Sequence, residues 1–121
     1  MEGQLRVELV GDLVVARVRG EPTTTLLRDC QEKVLSLARD SQKAKVLYDT
    51  LEMEAPSVDV PLAQRALDEG LGAITLKRAI VVPNSRLAYL ARLAFGDGDY
   101  RVFYNDIVAA LKWLSDEPAR S

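Results

Sequence analysis

A chain of 121 residues, 48% apolar and 28% charged, is long enough for one domain burying roughly two thirds of its unfolded surface, and its composition excludes a disordered chain or a fibre. A formal net charge of -2 gives no general reason to bind nucleic acid, and the single Cys30 allows no internal disulfide. Histidine is absent, which removes the usual general base near pH 7, the Ser-His and Cys-His nucleophile pairs and the commonest transition-metal ligand; a structural zinc site is excluded with it.

In chain order, Gln4 to Val18 reads as a β-hairpin. With Gly11-Asp12 as a two-residue loop, Val10 faces Leu13, residue 9 faces 14, 7 faces 16 and 5 faces 18. Leu5, Val7, Leu9, Val14, Ala16 and Val18 then share one wholly apolar face, whereas Arg6, Glu8, Val10, Leu13, Val15 and Arg17 make a mixed one; a one-residue slip would scramble that sorting. Pro22 and Thr23 to Thr25 lead into a helix ending near Arg39, with Leu26, Leu27, Cys30, Val34, Leu37 and Ala38 on its buried stripe and Arg28, Asp29, Gln31, Glu32, Lys33 and Ser36 facing solvent. Cys30 on that stripe reads as a small core residue rather than a redox or acylated thiol.

Lys45 to Leu51 is the third strand, followed by the acidic, proline-containing loop 52–59. A helix is expected from about Val60, capped by Asp59 or Ser57 and closed by Gly70, with Leu62, Ala66 and Leu67 on its buried side together with Val58. Four consecutive apolar residues, Ala79 to Val82, cannot alternate inside and outside, so they read as a strand covered on both faces in the middle of the sheet. Pro83 stops that strand, Asn84 or Ser85 caps the next helix, and Leu87, Leu90, Ala91 and Ala94 form its apolar side up to Phe95. The turn at 97–99 leads to a last strand, Tyr100 to Tyr104. Asn105 or Asp106 caps a final helix that buries Ile107, Val108, Leu111 and Leu114. The order is β-β-α-β-α-β-α-β-α, an α/β fold with a mixed five-stranded sheet: an N-terminal antiparallel hairpin, parallel strands joined by right-handed crossovers, and four helices packed on it. One domain spans residues 1–121.

Three stretches resemble a known family: Val46-Leu-Tyr-Asp49 with its irregular loop, Arg78-Ala-Ile-Val-Val-Pro-Asn-Ser-Arg86, and the strand-cap-helix run from Tyr100 to Leu114 ending Ala-Leu-Lys-Trp-Leu. They are similar to the SpoIIAA-like branch of the STAS superfamily, whose members resemble lipid-binding CRAL-TRIO domains in architecture and mostly lack an assigned activity. The resemblance implies a non-catalytic interaction domain, in better-known relatives a binding switch phosphorylated in an Asp-Ser-Ser/Thr-Gly motif at the helix after strand 3. Here the corresponding stretch is Ala55-Pro-Ser-Val-Asp59, so Ser57, with Thr50, is the hydroxyl left as a phosphorylation or partner-contact candidate.

Asp49, Asn84, Ser85 and Arg86 are expected along the edge where parallel sheets present ligand sites. Asp49, Glu52, Glu54 and Asp59 do not have the spacing of a calcium loop, and Gly70/Gly72 and Gly96/Gly98 follow helices rather than strands, so neither a metal nor a phosphate loop is expected, and no cofactor. Acidic residues dominate 49–72 and basic ones 77–101, an asymmetry that would orient a protein partner or a second copy in a salt-sensitive complex. Tyr89, Tyr100, Phe103, Tyr104 and Trp113 could line an apolar groove for a lipid or small apolar ligand, the alternative function. The N-terminus carries no basic segment followed by an apolar one and no run of bilayer length occurs, so a cytoplasmic location without stable membrane insertion is expected. The loop from Thr50 to Asp59 discriminates: Ser57 or Thr50 exposed beside a flat surface favours a partner, a loop closed over a cavity favours a carrier.

Overall fold

The computed structural model describes residues 3–41, 45–60, 62–63, 76–95 and 100–115. The elements are β1 (Gln4–Val10), β2 (Leu13–Gly20), α1 (Thr24–Ser41), β3 (Lys45–Met53), β4 (Lys77–Val82), α2 (Ser85–Phe95), β5 (Tyr100–Tyr104) and α3 (Ile107–Ser115). They form one five-stranded sheet in the order β1-β2-β3-β4-β5, with β1 antiparallel to β2 and every later neighbour parallel.

The hairpin takes the expected register, Val10 on Leu13, Leu9 on Val14, Val7 on Ala16 and Leu5 on Val18. Gly11 makes this loop work: its φ of 62° lies in the left-handed region that a two-residue hairpin needs at its first position. Strand order follows chain order, so right-handed crossovers carry α1 and α2 to the same face. There Cys30, Val34, Leu35 and Ala38 of α1 and Leu87, Ala88 and Leu90 of α2 pack on Val14, Ala16, Val18, Val46, Tyr48, Ile80 and Val82. After β5, α3 folds under the opposite face, setting Ala110 and Leu114 against Leu47, Ala79 and Val81. All four residues from Ala79 to Val82 are buried, as a strand between two helical layers requires. Each such aliphatic side chain contributes about 1.5–3 kcal/mol of burial.

Side chains cap the helices as their sequences suggest. The Leu26 amide donates to Thr23 Oγ1 at 3.0 Å, that of Leu87 to Asn84 Oδ1 at 2.9 Å, and that of Ala109 to Asp106 Oδ1 at 2.9 Å. Asn105, just before the last cap, takes a φ of 53°, which its short side chain tolerates and stabilises by donating to the Pro83 carbonyl at 3.1 Å.

Several expectations change. Three helices are complete among the described residues, against four expected. The remaining one shows only its opening, helical at 59–60 and 62–63 with the Leu62 amide donating to the Val58 carbonyl at 3.3 Å; its continuation to Gly70, with Ala66 and Leu67, lies outside the described residues. Val58 and Leu62, expected on its buried side, are exposed. In α1, Gln31 is only 3% exposed and Leu35 is buried, although Gln31 was assigned to the solvent face. Position 31 lies four residues after Leu27 and three before Val34, on the buried stripe, where its amide is retained because it has a polar partner. On α3, Val108 and Leu111 are exposed rather than buried, because the short helix turns Ala110 and Leu114 to the sheet.

Candidate functional site

The parallel strands β2 to β5 end at one edge, the place where such sheets present ligand sites. β3 reaches this edge through an irregularity. Between Asp49, which faces Arg17, and Glu52, which faces Arg19, β3 has one residue more than β2, the pattern of a β-bulge. Leu51 packs on the α3 side of the sheet and Glu52 pairs there with Arg19 at 3.3 Å, so Met53 returns to the α1 side.

Asp49 holds this bulge. It lies inside β3 rather than just past it, is buried, and divides its two oxygens: Oδ2 accepts from Arg17 Nε at 3.1 Å, and Oδ1 accepts the Leu51 amide at 3.1 Å. Its place on the expected functional edge is thus taken by an internal role. Thr50 is buried as well, and its hydroxyl donates to the Val81 carbonyl at 2.6 Å, which ties β3 to β4 where their ladder ends. A hydroxyl so placed is not open to a partner or a kinase. Ser57, by contrast, is exposed.

The loop between them closes over a cavity. Pro56 is buried and, with Met53 and Thr50, lines an apolar space of about 80 Å³ between α1 and α2, walled by Cys30, Gln31, Tyr48, Leu87 and Phe95 among others. The Tyr48 hydroxyl donates to Gln31 Oε1 at 3.4 Å, so two polar side chains meet inside this wall. Tyr48 and Tyr100 flank Phe95, at 5.4 and 5.7 Å between ring centroids, and the Arg78 guanidinium stacks on the same ring at 4.6 Å. The cavity wall was not singled out from the sequence. Its signal was present in the alternation Val46, Tyr48, Thr50, which places all three on the α1 side.

Burial pushes the Cys30 thiol up to about 12, with the Lys33 ammonium opposing weakly, so this residue stays protonated and inert, in keeping with a core role.

Pro56 and Leu87 both line the cavity, and their chain neighbours Ser57 and Arg86 are exposed. Asn84 and Ser85 are exposed beside Arg86, Asn84 as the cap and Ser85 as the first residue of α2. Ser57 follows the end of β3 and Asn84, Ser85 and Arg86 follow the end of β4, all four exposed, while Asp49 and Thr50 are buried within β3. The structure does not gather the five aromatics into one groove. Tyr100 packs on the α1/α2 side, Phe103 and Trp113 meet on the opposite side at 6.0 Å, and Tyr89 and Tyr104 are 51% and 49% exposed. Strand alternation explains the split, since residues 100 and 103 point to opposite faces of β5.

Among the described residues no group of three or more His, Cys, Asp or Glu could hold a metal ion, and no helix is long and apolar enough to cross a membrane. No family model matches the chain, and no curated protein matches it. Solved structures do. An anti-sigma factor antagonist from Mycobacterium paratuberculosis superposes with a TM-score of 0.65 at 18% identity, over 95% of this chain and 96% of that one. An uncharacterised Shewanella loihica protein with a SpoIIAA-like fold superposes with a TM-score of 0.59 at 20% identity, over 93% of each. Likeness at such identities carries the fold and leaves function to the residues. The chain has a SpoIIAA-like α/β fold, as its sequence resemblance implied.

Proposed function

We propose that this chain is a non-catalytic regulatory module that binds a protein partner, in the cytoplasm, through the C-terminal edge of its sheet. The observation that carries the reading is the contrast within one loop: Pro56 is buried against the cavity while Ser57, next to it in the chain, stands exposed. Such a loop offers a hydroxyl on a surface already ordered, which lowers the entropy cost of docking. The structural likeness to an anti-sigma factor antagonist supports a regulatory partner. A phosphate on Ser57 would add about two negative charges at an exposed position and so change the edge electrostatically without remodelling the core.

The test is capture of partners from a lysate of the source organism by immobilised wild-type chain, Arg86→Glu, Ser57→Glu and, as a control on the exposed side of α1, Arg28→Glu. A partner retained by wild type and Arg28→Glu but lost with Arg86→Glu is the expected result. Equal capture by all four would remove the edge from the interface.

The closed loop favours a second reading, a small-molecule carrier. Its volume limits it: about 80 Å³ is roughly half of an engineered cavity that accepts benzene, so an acyl chain would fit only if α1 and α2 moved apart. Native mass spectrometry of detergent-free protein tests this reading by the presence of a co-purifying molecule of a few heavy atoms.

A further inference from the structure

The outer edge of β1 carries a pattern that matches a second copy of itself. β1 ends the sheet, so one row of its backbone N–H and C=O groups has no strand beside it among the described residues. Val10 and Leu13 flank the two-residue loop and form its closing hydrogen-bonded pair; by alternation, the backbone groups of Leu5, Val7 and Leu9 turn away from β2 to the open edge. Apart from the charges of Arg6 and Glu8 on its outer face, the strand lacks the features that usually guard an edge. It contains no proline, its register with β2 has no bulge, and its core-facing side carries Leu5, Val7 and Leu9 with no inward charge. Leu9 and Val10 remain 41% and 53% exposed.

We propose that β1 pairs antiparallel with β1 of a second copy about a twofold axis through Val7, joining two five-stranded sheets into one. In this register Val7 faces Val7, Leu5 of each copy faces Leu9 of the other, and Arg6 of each copy faces Glu8 of the other. Val7 is one of the residues whose backbone points outward, so the axis falls on a hydrogen-bonded pair and the ladder closes on both sides of it. The charges select this register over its neighbours. Moving the axis to Arg6 sets Arg6 against Arg6, and moving it to Glu8 sets Glu8 against Glu8, each a like-charge contact at the closest cross-strand distance. Within one copy Arg6 sits across from Arg17, which is occupied by Asp49, and its own Glu8 contact is a loose 3.8 Å between exposed side chains. The second copy supplies Arg6 with a directly opposed carboxylate. This contact lies on a different edge from Ser57 and Arg86 and does not depend on the partner-binding reading.

Sedimentation equilibrium of the full chain over a wide concentration range tests the pairing, with circular dichroism melts to confirm that each variant folds. Wild type is expected to dimerise. Arg6→Glu and Glu8→Arg, both at exposed positions, are each expected to weaken self-association by about tenfold or more, because each sets like charges across the axis twice. An equimolar mixture of the two variants is expected to form heterodimers with wild-type affinity, and the double variant Arg6→Glu/Glu8→Arg to self-associate as wild type does. A chain that stays monomeric at every concentration overturns the proposal. So do folded charge variants that dimerise unchanged, a mixture that fails to rescue, or a monomer whose β1 edge instead accepts an extended peptide from another protein.

Discussion

The two faces of the sheet are closed by different means. On the α1/α2 face the covering among the described residues is chiefly apolar volume: two helices, a buried loop proline and a ring of aliphatic side chains, with Gln31, Tyr48 and Thr50 hydrogen-bonded inside and the one buried guanidinium, Arg78, stacked on Phe95. On the α3 face one short helix covers β3 to β5, and the margin is finished with charge. Arg17 pairs with Asp49, Arg19 with Glu52, and Lys77 lies over the Trp113 ring at 4.5 Å while donating to that residue's carbonyl at 2.8 Å. The first face should therefore fail by loss of volume and be nearly indifferent to salt. The second should respond to charge neutralisation and ionic strength.

The largest effect is expected on the first face. Leu87 is buried and lines the cavity, so Leu87→Ala enlarges a space that already exists and should cost about 3–5 kcal/mol, read as a fall in the urea midpoint. A cost below about 1 kcal/mol would mean that α2 collapses freely onto the sheet, and the contrast with the α3 face would dissolve. Next is Asp49→Ala, expected to cost about 2–3 kcal/mol because it strands the Leu51 amide and leaves Arg17 without its partner; the Arg17 side chain is 43% exposed, so the lost amide bond outweighs the ion pair. Asp49→Asn, which keeps an acceptor for Leu51, should recover about half of that.

A smaller effect follows from Cys30. Its thiol is held near 12 when folded against an ordinary 9.0, so above pH 9.0 the unfolded chain loses a proton that the folded chain keeps. Stability from this group is complete below 9.0 and falls by about 1.4 kcal/mol per pH unit as pH rises toward 12. Denaturation at pH 8 and pH 10 should show that slope in wild type and its absence in Cys30→Ala. Smallest is Lys77→Met, which removes a cation from the Trp113 ring and should cost about 0.5–1 kcal/mol, a difference that shrinks in high salt. A salt-independent cost at Lys77 would show that the α3 margin, too, is held by packing.

Much of this arrangement was legible in the chain because it depends on local alternation and turn chemistry. The hairpin register followed from sorting Leu5 to Val18 onto two faces, and the buried middle strand from the unbroken run Ala79 to Val82; each is fixed by a period-two pattern that tolerates no slip. The caps at Asn84 and Asp106 were likewise readable from residue type and position. What escaped was set by tertiary partners. Gln31 looks like surface until Tyr48 arrives beneath it from a strand, and Asp49 looks like an edge carboxylate until a bulge gives it an amide to hold. Ser57, Asn84, Ser85 and Arg86 are exposed after the ends of β3 and β4, but Thr50 is turned inward, its hydroxyl held by the Val81 carbonyl. The expected aromatic groove failed for an elementary reason, that residues 100 and 103 cannot share a face of one strand.

The order β1-β2-β3-β4-β5 also bears on how the chain reaches its native state. Every strand is added beside the one synthesised just before it, so no strand must wait for a later one to be inserted between itself and its neighbour. Loop closure is then limited at each step to one crossover, and the growing sheet always offers a ready edge to the next segment. A hairpin alone is marginal in water, so the first stable unit in this order is reached when α1 and β3 close on β1 and β2. Until β5 docks, the open edge of β4 is the apolar run Ala79 to Val82, which makes the interval between β4 and β5 the step at which an incomplete chain is most prone to aggregate.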